Sequence, residues 1–561
     1  MNQSIRDHLS FLYGESRAGE IRDAINALLE SAGSRLTTCQ NSPKALSERD
    51  AILITYGDQV RKEGDSPLHT LDRFLSAWAA GVVSAVHILP FYPSSSDDGF
   101  SVMDYFSVDP ALGTWDDISA LGERFDLMFD AVFNHASARG VWFQKFLAQE
   151  RGWESAFYEI KGDPDLSAVV RPRALPLLTT FETSAGPKRI WTTFSADQVD
   201  INFEDPRMLL RVLEALLFYV EHGARYIRLD AIAFLWKEPG TPCIHLPGTH
   251  TVIQLMRSVL DMVASWVVLI TETNVPHADN VSYFGDGSNE AQMVYNFALP
   301  PLVFHTIRTG NATALCSWAH SLAQSNGSVT FFNFLASHDG IGLNPARGLL
   351  AETEIDALVR TAIAHGGYVS YKRLPDGSEA PYELNVNLFD ALSDPSGGEA
   401  DTVGIARFLA AHAIMFSLAG VPGIYFHSLF GSRGDCAGAE ASGIPRRINR
   451  EKLELERLER ELSTPGSLRQ QVFDGMRGML AARAGHPAFS PFSPQEILNL
   501  GPEVVAIQRG AEVLCLTNVT SRPVSLDLPD RVSQWEVLYG SCERDGARLS
   551  LPAYGVLWLT K

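Results

Sequence analysis

The sequence predicts an α/β protein: a (β/α)8 TIM barrel that carries loop-insertion subdomains and is followed by a C-terminal antiparallel β domain. Three observations predict it. Eight short apolar segments recur between stretches of helical periodicity, three of them run towards a single acid at their C-terminal end, and from about residue 487 the pattern changes to short alternating strands. Strand–helix alternation implies a parallel sheet, and eight repeats suit a closed barrel whose chemistry sits at the strand C-termini.

Residues 1–50 form an extension in which Ile21, Ala24, Ile25, Leu28 and Leu29 recur at helical spacing. They predict one amphipathic helix over 18–31 that docks on the barrel. The strands then begin with AILITY at 51, VVSAVHIL from 82, DLMFDAVF from 126 and ARYIRLD up to Asp230. They continue with WVVLITE up to Glu272, AQMVYNF from 291, TFFNFLASHD up to Asp339 and GVPGIYF from 420. Apolar runs this rich in Val, Ile, Phe and Tyr suit strands buried on both faces. Helical periodicity fills 206–222, 251–263 and 403–418. Two connections far exceed an ordinary loop: 136–200 after the third strand and 340–402 after the seventh. The barrel therefore takes 51–135 and 201–486, with one inserted domain over 136–200 and a second insertion over 340–402. In 487–561 the segments EVVAIQRG, AEVLCLTNV, PVSLDL, WEVLYG and GVLWLT predict antiparallel strands.

The chain has 66 Asp and Glu against 46 Lys and Arg, a net charge of −20 that repels nucleic-acid phosphates and anionic membranes. Neither nucleic acid nor membrane is an expected partner, and any anionic substrate needs local basic groups. The start lacks a basic stretch followed by an apolar core, and no segment reaches about 18 uninterrupted apolar residues, so a cytoplasmic protein is expected. Cys39, Cys243, Cys316, Cys436, Cys515 and Cys542 form no CxxC pair, which predicts reduced thiols rather than a metal cluster. Asn134 alone is no cage for calcium, which takes about 6–8 oxygens. GDGSN at 285 reads as a turn, because no Gly-Lys-Ser/Thr follows. No metal and no cofactor are expected.

Arg228 and Asp230 lie two apart on one strand, so both project on one face and the guanidinium can hold the carboxylate ionised as a nucleophile. Glu272 ends an apolar strand, where desolvation raises a carboxyl pKa and suits a general acid. Retaining glycosidases pair such groups about 5–5.5 Å apart. A third acid, Asp339 beside His338, can stabilise an oxocarbenium-like transition state. Taken singly, each acid is better read as a strand-end ion pair; three together favour a shared site.

DAVFNH at 130–135, YIRLDAIAF at 226–234, LITETN at 269–274 and FLASHDG at 334–340 resemble, in order and spacing, the four signature regions of the α-amylase superfamily, glycoside hydrolase family 13. The resemblance implies that Asp230 is the nucleophile, Glu272 the acid/base and Asp339 the transition-state stabiliser, with Arg228, His135 and His338 on the glucosyl unit. ITYGD at 54, VHILPFYPSSSDDGF at 86, RPRALPLLTTF at 171, WKEPGTPCIHLP at 236, HDGIGLNP at 338 and RRINR at 446 narrow it to the sucrose phosphorylase subfamily. That implies inorganic phosphate as co-substrate and α-glucose 1-phosphate as product. By the same resemblance Asp97 and Arg450 grip glucose hydroxyls, and Phe100 is an aromatic platform.

The extension of roughly fifty residues and AHGGYVSYKRLPDGSEAPYELNVN in the second insertion resemble the members of that subfamily that act on 2-O-α-D-glucosyl-D-glycerate. D-glycerate and phosphate are both anions. Arg171, Arg173, Lys372 and Arg373 are the candidate cations for them, and Arg173 with the stretch from Tyr368 to Arg373 is the expected anion site. Sucrose, sucrose 6'-phosphate and glucosylglycerol phosphorylases, and an α-glucosidase or transglucosidase, remain alternatives, because loops rather than the acids read the acceptor. The resemblance implies a monomer or homodimer.

Overall fold

The computed structural model describes residues 3–36, 45–173, 175–322, 327–373, 378–398, 400–528, 532, 534–545 and 548–561. Eight parallel strands close into a barrel: β1 Ile52–Thr55, β2 Ala85–Ile88, β3 Asp126–Ala131, β4 Ala224–Leu229, β5 Val268–Thr271, β6 Met293–Tyr295, β7 Thr330–Phe334 and β8 Val421–Tyr425. Every one lies within a segment predicted from the sequence. Their backbones are buried almost throughout, as expected of strands covered inside by one another's side chains and outside by helices. The register sets Asp130 of β3 beside Arg228 of β4, and Arg228 beside Ile270 of β5. Because side chains alternate along a strand, Arg228 shares its inward face with the position of Asp230.

The helices Pro206–Glu221, Pro247–Val263 and Asp401–Ser417 follow the predicted periodicity, and Asp205 caps the first by accepting the Arg207 N–H at 3.0 Å. The inserted domain leaves and rejoins the barrel through a short antiparallel pair, His135–Ser137 with Gln198–Asp200. Between them lie the helix Val141–Leu147 and the hairpin Leu178–Thr183/Gly186–Trp191. The second insertion holds the helix Glu352–Ala364 and the hairpin Tyr368–Arg373/Glu379–Asn385, whose second strand also pairs with Ile341–Gly342. Gly340 is needed there, since a Cβ on it would come within 2.4 Å of the Leu384 carbonyl oxygen.

Three expectations need correction. The extension forms two helices rather than one, Gln3–Tyr13 and Glu15–Leu36, broken at Gly14 with φ 80°. The first was hidden because only Ile5 and Leu9 of its residues are buried, too few to impose a period. Asp339 does not end its strand: β7 stops at Phe334, and the acid rides on the loop that follows. Among the described residues the C-terminal domain has three short strands beyond the five segments named from the sequence, Gln495–Leu498, Glu543–Asp545 and Arg548–Leu551, the second exposed throughout and the other two in part. All its pairings are antiparallel.

Both N-terminal helices pack on the outside of the barrel, against Pro206–Glu221 and Pro247–Val263. Tyr13 Oη donates to the Phe203 carbonyl at 2.8 Å, and Arg35 pairs with Glu221 at 2.6 Å. Leu9 is fully buried in this seam. Leu9→Ala should cost about 3 kcal/mol in a urea-unfolding measurement, as for other buried leucines; a loss below about 1 kcal/mol would mean that the extension contributes little to the core.

Cys39 lies outside the described residues; the other five cysteines are unbridged. Among the described residues no helix is long and apolar enough to cross a membrane.

Candidate active site

A cavity of about 370 Å³ opens at the C-terminal mouth of the barrel, within the size range of small-molecule sites. Asp230, Glu272 and Asp339 all line it, brought there by the ends of β4 and β5 and the loop after β7. Of the other residues predicted from sequence, Asp97, Phe100, His135, Arg171, Arg173, His338 and Lys372 also line it. Arg228 lies beneath the floor, almost wholly buried, and acts through the acids it touches. Arg450 and Tyr368 do not reach the lining. The Arg450 guanidinium is spent behind the wall, on Asp98 at 2.6 Å, Asp339 at 3.2 Å and the His338 carbonyl at 2.8 Å. Tyr368 pairs with Asn385 in the hairpin. The Arg373 side chain lies outside the described residues.

Arg228 donates from Nη1 to Asp230 at 2.7 Å and also to Asp130, while its Nη2 stands 4.0 Å from Glu272. His87 Nε2 sits 2.7 Å from the second oxygen of Asp130. Burial opposes the charge on Asp130, but Arg228 and His87 prevail and hold it below the usual carboxylate range. The expectation that Arg228 alone keeps Asp230 ionised therefore needs amending, since its charge is divided between two aspartates. Burial, followed by the neighbouring acids, pushes Asp230 up against the pull of Arg228, and burial pushes Glu272 up as well. Arg228 stands 2.7 Å from Asp230 and 4.0 Å from Glu272, so the ion pair favours the charged form of Asp230 more than that of Glu272, whose Oε2 accepts the Ala231 N–H at 3.2 Å.

Asp339 is held differently. Burial works against its charge, yet Arg446, with Arg450 and Arg228, holds it far below the usual range. Arg446 is the chief partner, at 2.7 Å, and it clamps Glu383 bidentately at 3.0 and 2.8 Å. Arg446 and Glu383 both line the cavity and escaped the sequence reading. Arg446, Arg447 and Arg450 fall within five residues, and only the 3-10 turn Pro445–Asn449 decides which of them points inward.

The wall that carries Asp97 is built on strained backbone. Asp97, Asp98 and Gly99 follow one another at φ 54°, 48° and 114°, a run of left-handed residues that persists only when its surroundings enforce it. Arg173 grips Asp97 at 3.0 Å, and Arg447 and Arg450 grip Asp98 at 2.8 and 2.6 Å. Burial opposes the charge on Asp97, and Arg173, Arg446 and Arg450 bring its carboxyl down to about 2. Phe100 stacks on His338 with ring centres 4.9 Å apart and planes 5° from parallel; burial drives the His338 ring down to about 3, so it is neutral. His135 Nε2 lies 2.9 Å from the Phe100 carbonyl. Lys372 reaches Asn344 at 2.8 Å, and burial lowers its pKa.

The buried Lys237 ammonium sits 2.7 Å from Asp200 and 3.1 Å from Asn134 Oδ1.

A raised carboxyl has a consequence for stability. The folded state holds the Glu272 proton more tightly than the unfolded chain, so this group favours folding at pH below about 4.3, the usual glutamate value, and that advantage is lost as pH rises towards its raised value. Glu272→Gln should thus match the parent Tm in acid and exceed it at neutral pH. Calorimetry across that range checks this, and a Tm difference independent of pH would refute it.

A barrel with three acids at its C-terminal mouth and a domain inserted after the third strand defines the α-amylase class. Residues 81–341 match the alpha amylase catalytic domain. The fold superposes on the crystal structure of sucrose 6F-phosphate phosphorylase from Thermoanaerobacter thermosaccharolyticum with a TM-score of 0.75, at 23% identity, covering 92% of this chain and 100% of that one. A glucosylglycerate phosphorylase from Allomeiothermus silvanus is 53% identical over 526 residues, 93% of each chain. One from Escherichia coli K12 is 45% identical over 569 residues, 100% of each. This chain belongs to the glucosylglycerate phosphorylase family.

Proposed function

We propose that this chain is a retaining phosphorylase that converts 2-O-α-D-glucosyl-D-glycerate and inorganic phosphate, reversibly, to α-D-glucose 1-phosphate and D-glycerate. The observation that carries it is one cavity whose six acids, Asp230, Glu272 and Asp339 among them, are accompanied by five cations, Arg171, Arg173, Arg347, Lys372 and Arg446. In so acidic a protein, such a concentration of cations fits acceptors that are themselves anions. The names of the relatives over the full length support glycerate as one of them.

In the first step an Asp230 oxygen attacks the anomeric carbon, the bond to the glycerate oxygen breaks, and Glu272 gives that oxygen its proton. A β-glucosyl-enzyme results. In the second step a phosphate oxygen attacks the same carbon from the face that glycerate left, Asp230 departs, and Glu272 takes the phosphate proton. Two inversions give net retention. Asp339, kept ionised by Arg446, faces the positive charge that develops on the ring in both transition states. Asp97, Phe100, His135 and His338 hold the glucosyl unit. No metal or organic cofactor takes part, and we place the enzyme in the cytoplasm as a monomer or homodimer.

Glucose 1-phosphate offered D-glycerate, glycerol, fructose or fructose 6-phosphate separately, with phosphate release measured, tests the reading; release with glycerate least or not at all would refute it. Glucose formed from a glucoside equally fast without phosphate would favour a hydrolase instead. Arg173→Ala should raise the KM for phosphate or glycerate by about tenfold, the cost of one charged hydrogen bond. Unchanged values for both would remove Arg173 from the anion site.

A further inference from the structure

We infer that His245 is an acceptor-contacting specificity residue: its Nε2–H donates to an oxyanion of the acceptor, carboxylate or phosphate, and Tyr283 is the positioning residue that fixes this donor. The chemistry of the acceptor rests on the reading above; the contact rests on geometry.

His245 lines the cavity on the wall of Glu272. Its backbone N–H donates to the Ala233 carbonyl at 3.1 Å, and Ala231, on the same turn, donates its N–H to Glu272 at 3.2 Å. An acid that protonates the departing oxygen stands over the bond between glucose and acceptor, so this wall faces the acceptor. Asp97, Phe100 and His338 form the glucose side. The loop that carries His245 is also strained: Cys243 and His245 have φ 52° and 55°, in the region that favours glycine. Val170 of the inserted domain holds it by donating its N–H to the Pro242 carbonyl at 3.0 Å.

The donor follows from hydrogen-bond accounting. His245 Nδ1 lies 2.7 Å from Tyr283 Oη. Tyr283 is fully buried, and its hydroxyl has no other hydrogen-bond partner among the described residues, so its proton goes to Nδ1. A neutral imidazole that accepts on Nδ1 carries its own proton on Nε2. Burial lowers the ring's pKa and keeps it neutral. Since Nδ1 is turned to the buried tyrosine, Nε2 is turned to the cavity, where it has no partner among the described residues. Tyr283 cannot easily rotate away: its ring stacks on His250 at 4.7 Å, and His250 is held by the buried Glu290 at 2.9 Å. Asp279 lines the same wall but, as a carboxylate, offers no donor. A fixed, unsatisfied N–H discriminates strongly against an acceptor that lacks the matching oxygen.

The test compares His245→Leu, His245→Gln and Tyr283→Phe with the parent enzyme. KM is measured for D-glycerate and glycerol with glucose 1-phosphate, and for phosphate in phosphorolysis; fluoride release from α-glucosyl fluoride, which needs neither anion, reports the donor half-reaction. His245→Leu should raise the KM for D-glycerate or for phosphate by about tenfold, and whichever moves identifies the oxyanion. Fluoride release should stay within about twofold. Tyr283→Phe should shift the same KM by about threefold or more, and His245→Gln, which keeps an N–H at similar reach, should restore it. Unchanged anion KM values would overturn the proposal. So would equal losses in all assays with a lowered Tm, the mark of a structural role. Should His245→Leu not fold, Tyr283→Phe, which lacks one oxygen only, carries the test. A parent enzyme inert towards D-glycerate would refute the glycerate reading alone, and the phosphate KM would still decide the role of His245.

Discussion

Asp230→Ala is expected to lower kcat for phosphorolysis by about 10⁴-fold or more, equivalent to about 5.5 kcal/mol of lost transition-state stabilisation. The carboxylate sits directly on the Arg228 guanidinium, one residue beyond the last residue of β4, on a backbone buried along its whole length. No neighbour replaces it. Asp130 shares the guanidinium, but it belongs to β3, is fully buried and is absent from the cavity lining. The stereochemistry of rescue separates a lost nucleophile from a damaged site. Azide offered to Asp230→Ala with α-glucosyl fluoride should enter the space left by the carboxylate and give β-glucosyl azide. An α product, or a kcat within about tenfold of the parent, would show that Asp230 is not the nucleophile.

Arg446→Leu should have the next largest effect, and on two quantities at once. Asp339 and Glu383 would both be left in a buried site without their closest cation, which typically costs about 3–5 kcal/mol in stability. The kcat/KM should fall by about 10²–10³-fold, because Asp339 would no longer be held ionised and in place. Arg446→Lys should recover little, since a single ammonium cannot hold Glu383 through two parallel bonds and still reach Asp339. Adding Glu383→Gln to Arg446→Leu should return much of the stability but not the rate. Denaturant unfolding and steady-state kinetics on the four proteins check this. Parallel recovery of both quantities would mean that Arg446 serves the fold alone.

The contrast between these residues shows what was legible in the sequence. Asp230 and Glu272 could be placed because each follows a run of apolar, β-branched residues that only a buried strand explains, and the barrel follows from eight such runs. Arg446 could not be told from Arg447 or Arg450, because a 3-10 turn points successive side chains in different directions and no period marks the inward one. Arg450, expected on glucose, instead braces Asp98 and Asp339 from behind. Glu383 reads as an ordinary hairpin acid until the hairpin is folded over Asp339 through Gly340. The state of Asp230 was half legible. Its partner Arg228 lies two residues away, but the competing Asp130 comes from a strand about a hundred residues earlier, and only the register of β3 on β4 reveals it.

The seam that holds the N-terminal helices also has an order in time. Residues 3–36 are made well before the surfaces they dock on, which belong to helices ending at Glu221 and Val263. For some two hundred residues of synthesis, at about 5–20 residues per second, the two N-terminal helices have only each other to pack on among the elements they contact. Their docking therefore waits until the chain has been made as far as Val263, and packing on those two barrel helices, rather than local helix formation, closes the segment.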